Sequence, residues 1–314
     1  MADYTSVMTG TAEVDDSIIT GWAAGFISAA AQADQITPLA NIKVQPGAAT
    51  ININKFDKIA LATTPLTERE DVTSTALVDH KVALTPVEYG AAVTTTTLAS
   101  LQTGGKVDLA AAQMIGMNLG ETRNKLATLA LEASTNVIIP GAGTEAGLVS
   151  TDVMSPSLLN KVYNKMKRAL VPTLPGLPGL YAALMHDDVI HDLREGTGAG
   201  SWQDLSKFTP EQAAMLPMNA IGVFKGFLIL SNSHCSFGDQ TGAGTVDAYK
   251  SSFGGANGLG DAEASAPGLT FTGPFDKLGR FVNVGHYGVY CYKIVDTDAV
   301  WSTLTASSVG ANAA

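Results

Sequence analysis

The 314-residue chain is poor in charge: Asp, Glu, Lys and Arg make up 15% of it, where an average soluble chain carries roughly 25%. Cations are the scarcer sign, 19 against 29 acids for a net charge of −10, which argues against a basic nucleic-acid reader because an acidic chain repels phosphate in bulk. Cysteine is nearly absent. Cys235 and Cys291 lie far apart and outside any CxxC, which excludes a disulfide framework and a zinc knuckle and points to two buried thiols in a reducing cytoplasm. Long apolar runs are missing as well. The uncharged stretch 17–33 is seventeen residues long and broken by Ser, Thr and Gln, short of the about 20 that a membrane span needs. MADYTSVMTG has no cationic start, so no secretory signal is expected.

What is present excludes global disorder, because 46% of the residues are hydrophobic and supply ample surface to bury. The length lies at the upper limit for one core and implies two or three subdomains. Residues 1–42 hold Asp3, Glu13, Asp15, Asp16 and Asp34 and no Lys or Arg. Within them Ile18, Trp22, Phe26 and Ala30 recur every fourth residue, predicting an arm with one amphipathic helix. From 50 to 97 the pattern turns to strand: Ile51 and Ile53, then Val78, His80, Val82 and Leu84, alternate with more polar neighbours, around a charged stretch Glu68-Arg69-Glu70-Asp71. Two strands with a charged tip make a hairpin, and a bare hairpin is marginal in water. The expected cover is another subunit.

A long helix is predicted over 107–134, with Ala111, Ile115, Leu119, Thr122, Leu126, Leu129 and Ala133 as its buried stripe and Gly116 and Gly120 on a neighbouring face. A second helix over 157–170 starts after Ser155-Pro156, with Ser155 as cap, and carries Lys161, Lys165, Lys167 and Arg168. Those cations suit a solvated face near a helix C-terminus better than a phosphate site. A Pro/Gly linker over 172–179 leads to a strand at 180–185 and a short helix at 187–195. Glycine-rich loops at 196–200, 238–244 and 254–260 flank an apolar strand at 224–230, and a return strand runs over 280–295.

Catalytic signals are weak. Gly141, Gly143 and Gly147 follow the apolar run Val137-Ile138-Ile139, as in a dinucleotide loop, but the spacing is GxGxxxG and no helix pattern follows. His186 and His191 are five residues apart, about 140° around a helix, so His186 and Asp187 read as turn and cap residues. His234 and Cys235 lack a second pair of ligands. Neither HExxH nor GxSxG occurs. No catalytic residue, cofactor site or metal site is assigned, and the chain reads as a non-enzyme.

The order of elements carries more than any motif. Leu61-Ala62-Thr63-Thr64-Pro65-Leu66-Thr67-Glu68 and Val82-Ala83-Leu84-Thr85-Pro86-Val87-Glu88-Tyr89-Gly90 look like an extended loop and its exit strand. The stretches 181–194, 222–231 and 284–289 resemble an axial strand-then-helix, the strand after it and a closing strand. From about residue 15 to 305 the chain thereby resembles the tailed-bacteriophage major capsid proteins of the Hong Kong 97-type fold. Arg69 stands where many relatives have glycine.

The resemblance implies an α+β fold in four parts: an N-terminal arm (1–49), an extended β-hairpin loop (50–98), a peripheral domain with a long spine helix (99–149 and 276–314) and an axial domain (150–275). It implies a coat subunit with no active site, forming hexamers and pentamers of an icosahedral shell in the virion, made in the host cytoplasm. Portal, scaffolding and decoration proteins are implied partners, packaged double-stranded DNA is close by, and no membrane is involved. Glu68, Arg69, Glu70 and Asp71, with Trp22 and Phe26, are the candidates for inter-subunit contact; a solvated hairpin tip is the competing reading. Two other readings stay open: a cytoplasmic α/β enzyme binding a nucleotide at Gly141–Gly147, and a non-viral encapsulating shell of the same fold.

Overall fold

Strand pairing in the computed structural model divides the chain between two main sheets. Residues 40–44 and 50–309 are described, except 57–58, 64, 67, 69–70, 72–73, 75, 142, 176, 197–201, 203–219 and 275. Trp22, Phe26, Arg69, Glu70 and the predicted arm helix lie outside the described residues.

The first sheet has the order β1-β11-β12-β4. Its strands are β1 (Ala40–Val44), β4 (Val87–Thr96), β11 (Leu259–Thr272) and β12 (Phe281–Ile294). β1 runs parallel to β11, and the other pairs are antiparallel. Alternation on β12 works as its sequence predicts: Val284, His286 and Tyr290 are buried while Tyr287 faces out. The second sheet has the order β5-β13-β10-β6-β8-β7, with β9 paired to β10. Those strands are β5 (Val137–Ile138), β6 (Tyr181–Met185), β7 (Ala220–Phe224), β8 (Phe227–Ser231), β9 (Phe237–Gly238), β10 (Ala248–Gly254) and β13 (Val300–Thr305). The remaining two, β2 (Ile51–Phe56) and β3 (Asp79–Leu84), form the expected hairpin as a separate two-stranded sheet.

β4, from within 50–98, and β11, from within 150–275, each pair with β12 in the four-stranded sheet, whereas β13, from within 276–314, lies in the second sheet.

Every residue of β6 is buried, as a strand covered on both faces requires. Tyr181, Ala183 and Met185 pack with helices α3 (Pro156–Arg168) and α4 (Asp187–Glu195). Ala182 and Leu184 pack on the opposite side with Ala127 and Leu131 of the long helix α2 (Lys106–Glu132). Ser155 caps α3 by accepting from the Leu158 amide at 3.3 Å, and His186 Nδ1 caps α4 by accepting from the Asp188 amide at 3.2 Å, both as the sequence predicts.

α2 has 27 residues, a length of about 40 Å. Gly104 and Gly105, at φ 63° and 79°, separate it from the short helix α1 (Thr97–Thr103). Its buried stripe begins as predicted with Ala111, Ile115 and Leu119, then departs from the expectation. Asn124, Ala127, Thr128, Leu131 and Glu132 are buried, whereas Leu129 and Ala133 are exposed. The 3.6-residue turn carries the inward face around the helix, and the polar side chains that arrive there find hydrogen-bond partners. Gly116 and Gly120 are themselves buried and belong to the packed face instead of a neighbouring one.

Candidate functional site

β2 and β3 pair from Ile51↔Leu84 to Phe56↔Asp79. Between them the described apolar side chains lie in solvent: Leu61 is 87% exposed and Leu66 76%. Ile59, Leu77 and Val78 are exposed too. The root is anchored. Leu84 is fully buried, Lys293 Nζ donates to the Ala83 carbonyl at 2.9 Å, and Lys293 belongs to β12 of the four-stranded sheet. A two-stranded ribbon with uncovered apolar side chains gains little from folding alone, so its arrangement suits a partner surface. Glu68 and Asp71 are both exposed on this ribbon.

A second uncovered surface lies on α1 and the first half of α2. α1 buries none of its residues. Leu98, Leu101, Met114 and Met117 are exposed along these two helices.

The second half of α2 is fixed by polar contacts that the sequence pattern does not announce. Asn124 and Asn232 exchange amide hydrogen bonds at 2.9 and 3.1 Å, and Asn232 Nδ2 also donates to Thr128 Oγ1 at 2.8 Å. Glu132 Oε1 accepts from the Ser236 amide at 2.7 Å, and Lys125 Nζ donates to the His234 carbonyl at 2.8 Å. Together they tie α2 to the loop after β8. Their signal in the sequence is Asn124-x3-Thr128-x3-Glu132, one polar face at a four-residue step.

Nearer the middle of α2, Arg123 reaches the four-stranded sheet. Its Nη2 lies 2.6 Å from Glu263 Oε1 and 3.8 Å from Asp261 Oδ2, and its Nε donates to the Tyr292 hydroxyl at 3.1 Å. Burial works against the guanidinium charge, but Tyr292 and the two carboxylates outweigh it and hold the Arg123 pKa up. Burial pushes the Tyr292 phenol up to about 12. His286 Nε2 sits 2.9 Å from Asn118 Oδ1 of α2, and burial lowers its pKa.

The enzyme-like features resolve into structure. After β5 the chain turns through Gly141 and Gly143, at φ 64° and 75°, into a short 3-10 turn, Glu145–Gly147. No helix begins there to present amides to a pyrophosphate. A Cβ at Gly141 would meet the Asp152 carboxylate, whose Oδ2 accepts from the Val149 amide at 3.1 Å. That carboxylate puts like charge where a phosphate would have to lie. His186 is the α4 cap, as predicted, beside Phe237 and Tyr249. Among the described residues no three His, Cys, Asp or Glu side chains are grouped to hold a metal ion, and no helix is long and apolar enough to cross a membrane. Cys235 is buried and its thiol is pushed up by burial, while Cys291 is only partly buried, which amends the expectation of two buried thiols.

No family model and no curated protein matches the chain. Solved structures do match. The capsid of Ralstonia phage GP4 superposes with a TM-score of 0.71 at 16% identity, covering 84% of this chain and 86% of that one. The cyanophage Pam1 capsid asymmetric unit superposes with a TM-score of 0.67 at 13% identity, covering 89% and 94%. A virus-like particle from Pyrococcus furiosus superposes with a TM-score of 0.55 at 11% identity, covering 91% and 98%. The fold is the α+β fold of the Hong Kong 97-type capsid proteins, as the sequence resemblance implied.

Proposed function

We propose that the protein is the major capsid protein of a tailed bacteriophage, assembling as hexamers and pentamers into an icosahedral shell around double-stranded DNA. The observation that carries this is the β2–β3 hairpin, whose exposed Leu61 and Leu66 lie beyond any cover from the described residues of the same chain. Likeness in fold to the phage GP4 and Pam1 capsids supports the same reading. In it, residues 1–49 are an arm, 50–98 the extended loop, 99–149 with 276–314 the peripheral domain and 150–275 the axial domain. Glu68, Arg69, Glu70 and Asp71, with Trp22 and Phe26, touch neighbouring subunits. The protein acts as structure in the virion after synthesis in the host cytoplasm; portal, scaffolding and decoration proteins are its further partners. A net charge of −10 suits a wall that must not trap the genome.

A second reading, a non-viral encapsulating shell, has one observation in its favour: the likeness to the Pyrococcus furiosus virus-like particle. Negative-stain electron microscopy of the purified protein, with light scattering on the same sample, tests both. Closed shells or ring-shaped capsomers are expected; nuclease-protected DNA in shells from the native source selects the phage, and enclosed protein cargo selects the alternative. A monomer that stays monomeric with its co-expressed neighbours, and gains melting temperature with NAD(H) or ATP, would return the nucleotide reading to first place.

A further inference from the structure

β4 is an outer strand of the four-stranded sheet, paired on one side with β12 and on the other with no described strand. Its ten residues, Val87–Thr96, keep register with β12 from end to end without a bulge. They include no proline, no Lys or Arg, and a single charge, Glu88. Such an edge is a template for another strand, and folded chains guard theirs with short length, bulges, proline or charge. The other outer strands are guarded in these ways. β1 has five residues, a register shift after Ala40, and Lys43. β5 and β9 have two residues each, and β7 has a register shift between Ala220 and Gly222. The hairpin strands carry Lys55 on β2 and Asp79, His80 and Lys81 on β3. Among the described outer strands β4 alone is long, even and nearly uncharged.

Its free backbone groups follow from the ladder. The Thr97 amide donates to the Arg280 carbonyl at 2.9 Å, one position beyond the pair of Thr96 with Phe281. Bonded and non-bonded pairs alternate along an antiparallel ladder, so Val87, Tyr89, Ala91, Val93 and Thr95 spend their amides and carbonyls on β12. Glu88, Gly90, Ala92, Thr94 and Thr96 turn theirs to the open edge. The first four of these are exposed, so another strand can approach. Two antiparallel β4 strands satisfy the whole set when Ala92 faces Ala92. Gly90 then meets Thr94 and Glu88 meets Thr96, which sets the one charge against an uncharged residue instead of its own copy. A slip of one residue would oppose outward groups with inward ones. The match is self-complementary, as a two-fold contact between identical chains requires. It also covers Val87 and Val93, which are 52% and 38% exposed.

We infer that β4 pairs antiparallel with β4 of a second copy across a two-fold axis at Ala92, joining the two four-stranded sheets into one. The contact does not rest on the capsid reading. Within a shell it would lie on a two-fold axis and tie one capsomer to the next.

Disulfide trapping of the full chain, with linked peptides identified by mass spectrometry, tests the pairing. Across the axis the two Ala92 Cα atoms would lie about 5.5 Å apart, within disulfide reach. Two Thr94 Cα atoms would be about 14 Å apart. Ala92→Cys should therefore give a covalent dimer linked through residue 92 of both copies, and Thr94→Cys should give none. No such dimer from Ala92→Cys, links from residue 92 to Cys235 or Cys291 in its place, or as much dimer from Thr94→Cys would each overturn the inference. Ala92→Lys sets two ammonium groups face to face and should weaken association at least about tenfold in sedimentation velocity, with the urea midpoint of the single chain unchanged. Association as tight as that of the unaltered chain would overturn the inference too; should Ala92→Lys misfold, the cysteine variants decide by themselves. Shells that form in electron microscopy without the link would remove this contact and leave the capsid reading, and the link without shells would do the reverse.

Discussion

At the scale of single residues, the stability of the α2 junction depends on polar groups that are buried and satisfied. Asn232 holds both Asn124 and Thr128, so Asn232→Ala removes the hydrogen bonds that these two buried side chains make to it. The expected loss is about 1–3 kcal/mol, read as a lower urea midpoint of the unassembled chain. His286 adds a pH dependence. Burial lowers its pKa from 6.5 in the folded state, so on acidification the unfolded chain takes up that proton first. The contribution of neutral His286 is therefore intact above pH 6.5 and declines as pH falls through 6.5 towards the lower folded value. In His286→Gln this part of the slope should be missing when melting temperature is followed from pH 7.5 to 5. An unchanged slope would show that other groups dominate acid sensitivity.

At the scale of elements, local signals are strong at caps and weak where polar strands are held between neighbours. Ser155 accepts from the Leu158 amide ahead of a proline at the first turn; Ser155→Ala should cost about 1 kcal/mol, seen in thermal unfolding without change in assembly. The helix at 187–195 and the strand at 181–185 were legible because their caps and apolar runs are local features. β11 was not. Asp261, Glu263, Ser265, Pro267 and Gly268 make a sequence with poor strand propensity. It is a strand because β1 and β12 flank it, and its register slips between Glu263 and Ser265 and again between Ser265 and Gly268, where a proline can be accommodated. The buried stripe of α2 was legible only in its first half, since Asn124, Thr128 and Glu132 face inward by finding partners that lie about a hundred residues away in the chain.

At the scale of the molecule, the hairpin is separable from the two main sheets. Its contact with them is made at its root, through Leu84 and the Lys293 bond to Ala83. Deleting residues 64–73 should abolish shells while shifting the stability of the single chain by no more than about 0.5 kcal/mol, the range of surface changes; shells of normal size by electron microscopy would remove the assembly role. The amino-acid sequence by itself determined the helices α2, α3 and α4, the N-caps of α3 and α4, and the hairpin, because hydrophobic period and capping chemistry act over a few residues. Only the tertiary structure decided that Ala40 lies beside Leu259, that Thr96 faces Phe281, and that β13 enters the second sheet while β12 stays in the first. Such pairings join residues whose separation in the chain leaves no periodic trace, and they are selected by which apolar faces can cover one another at once.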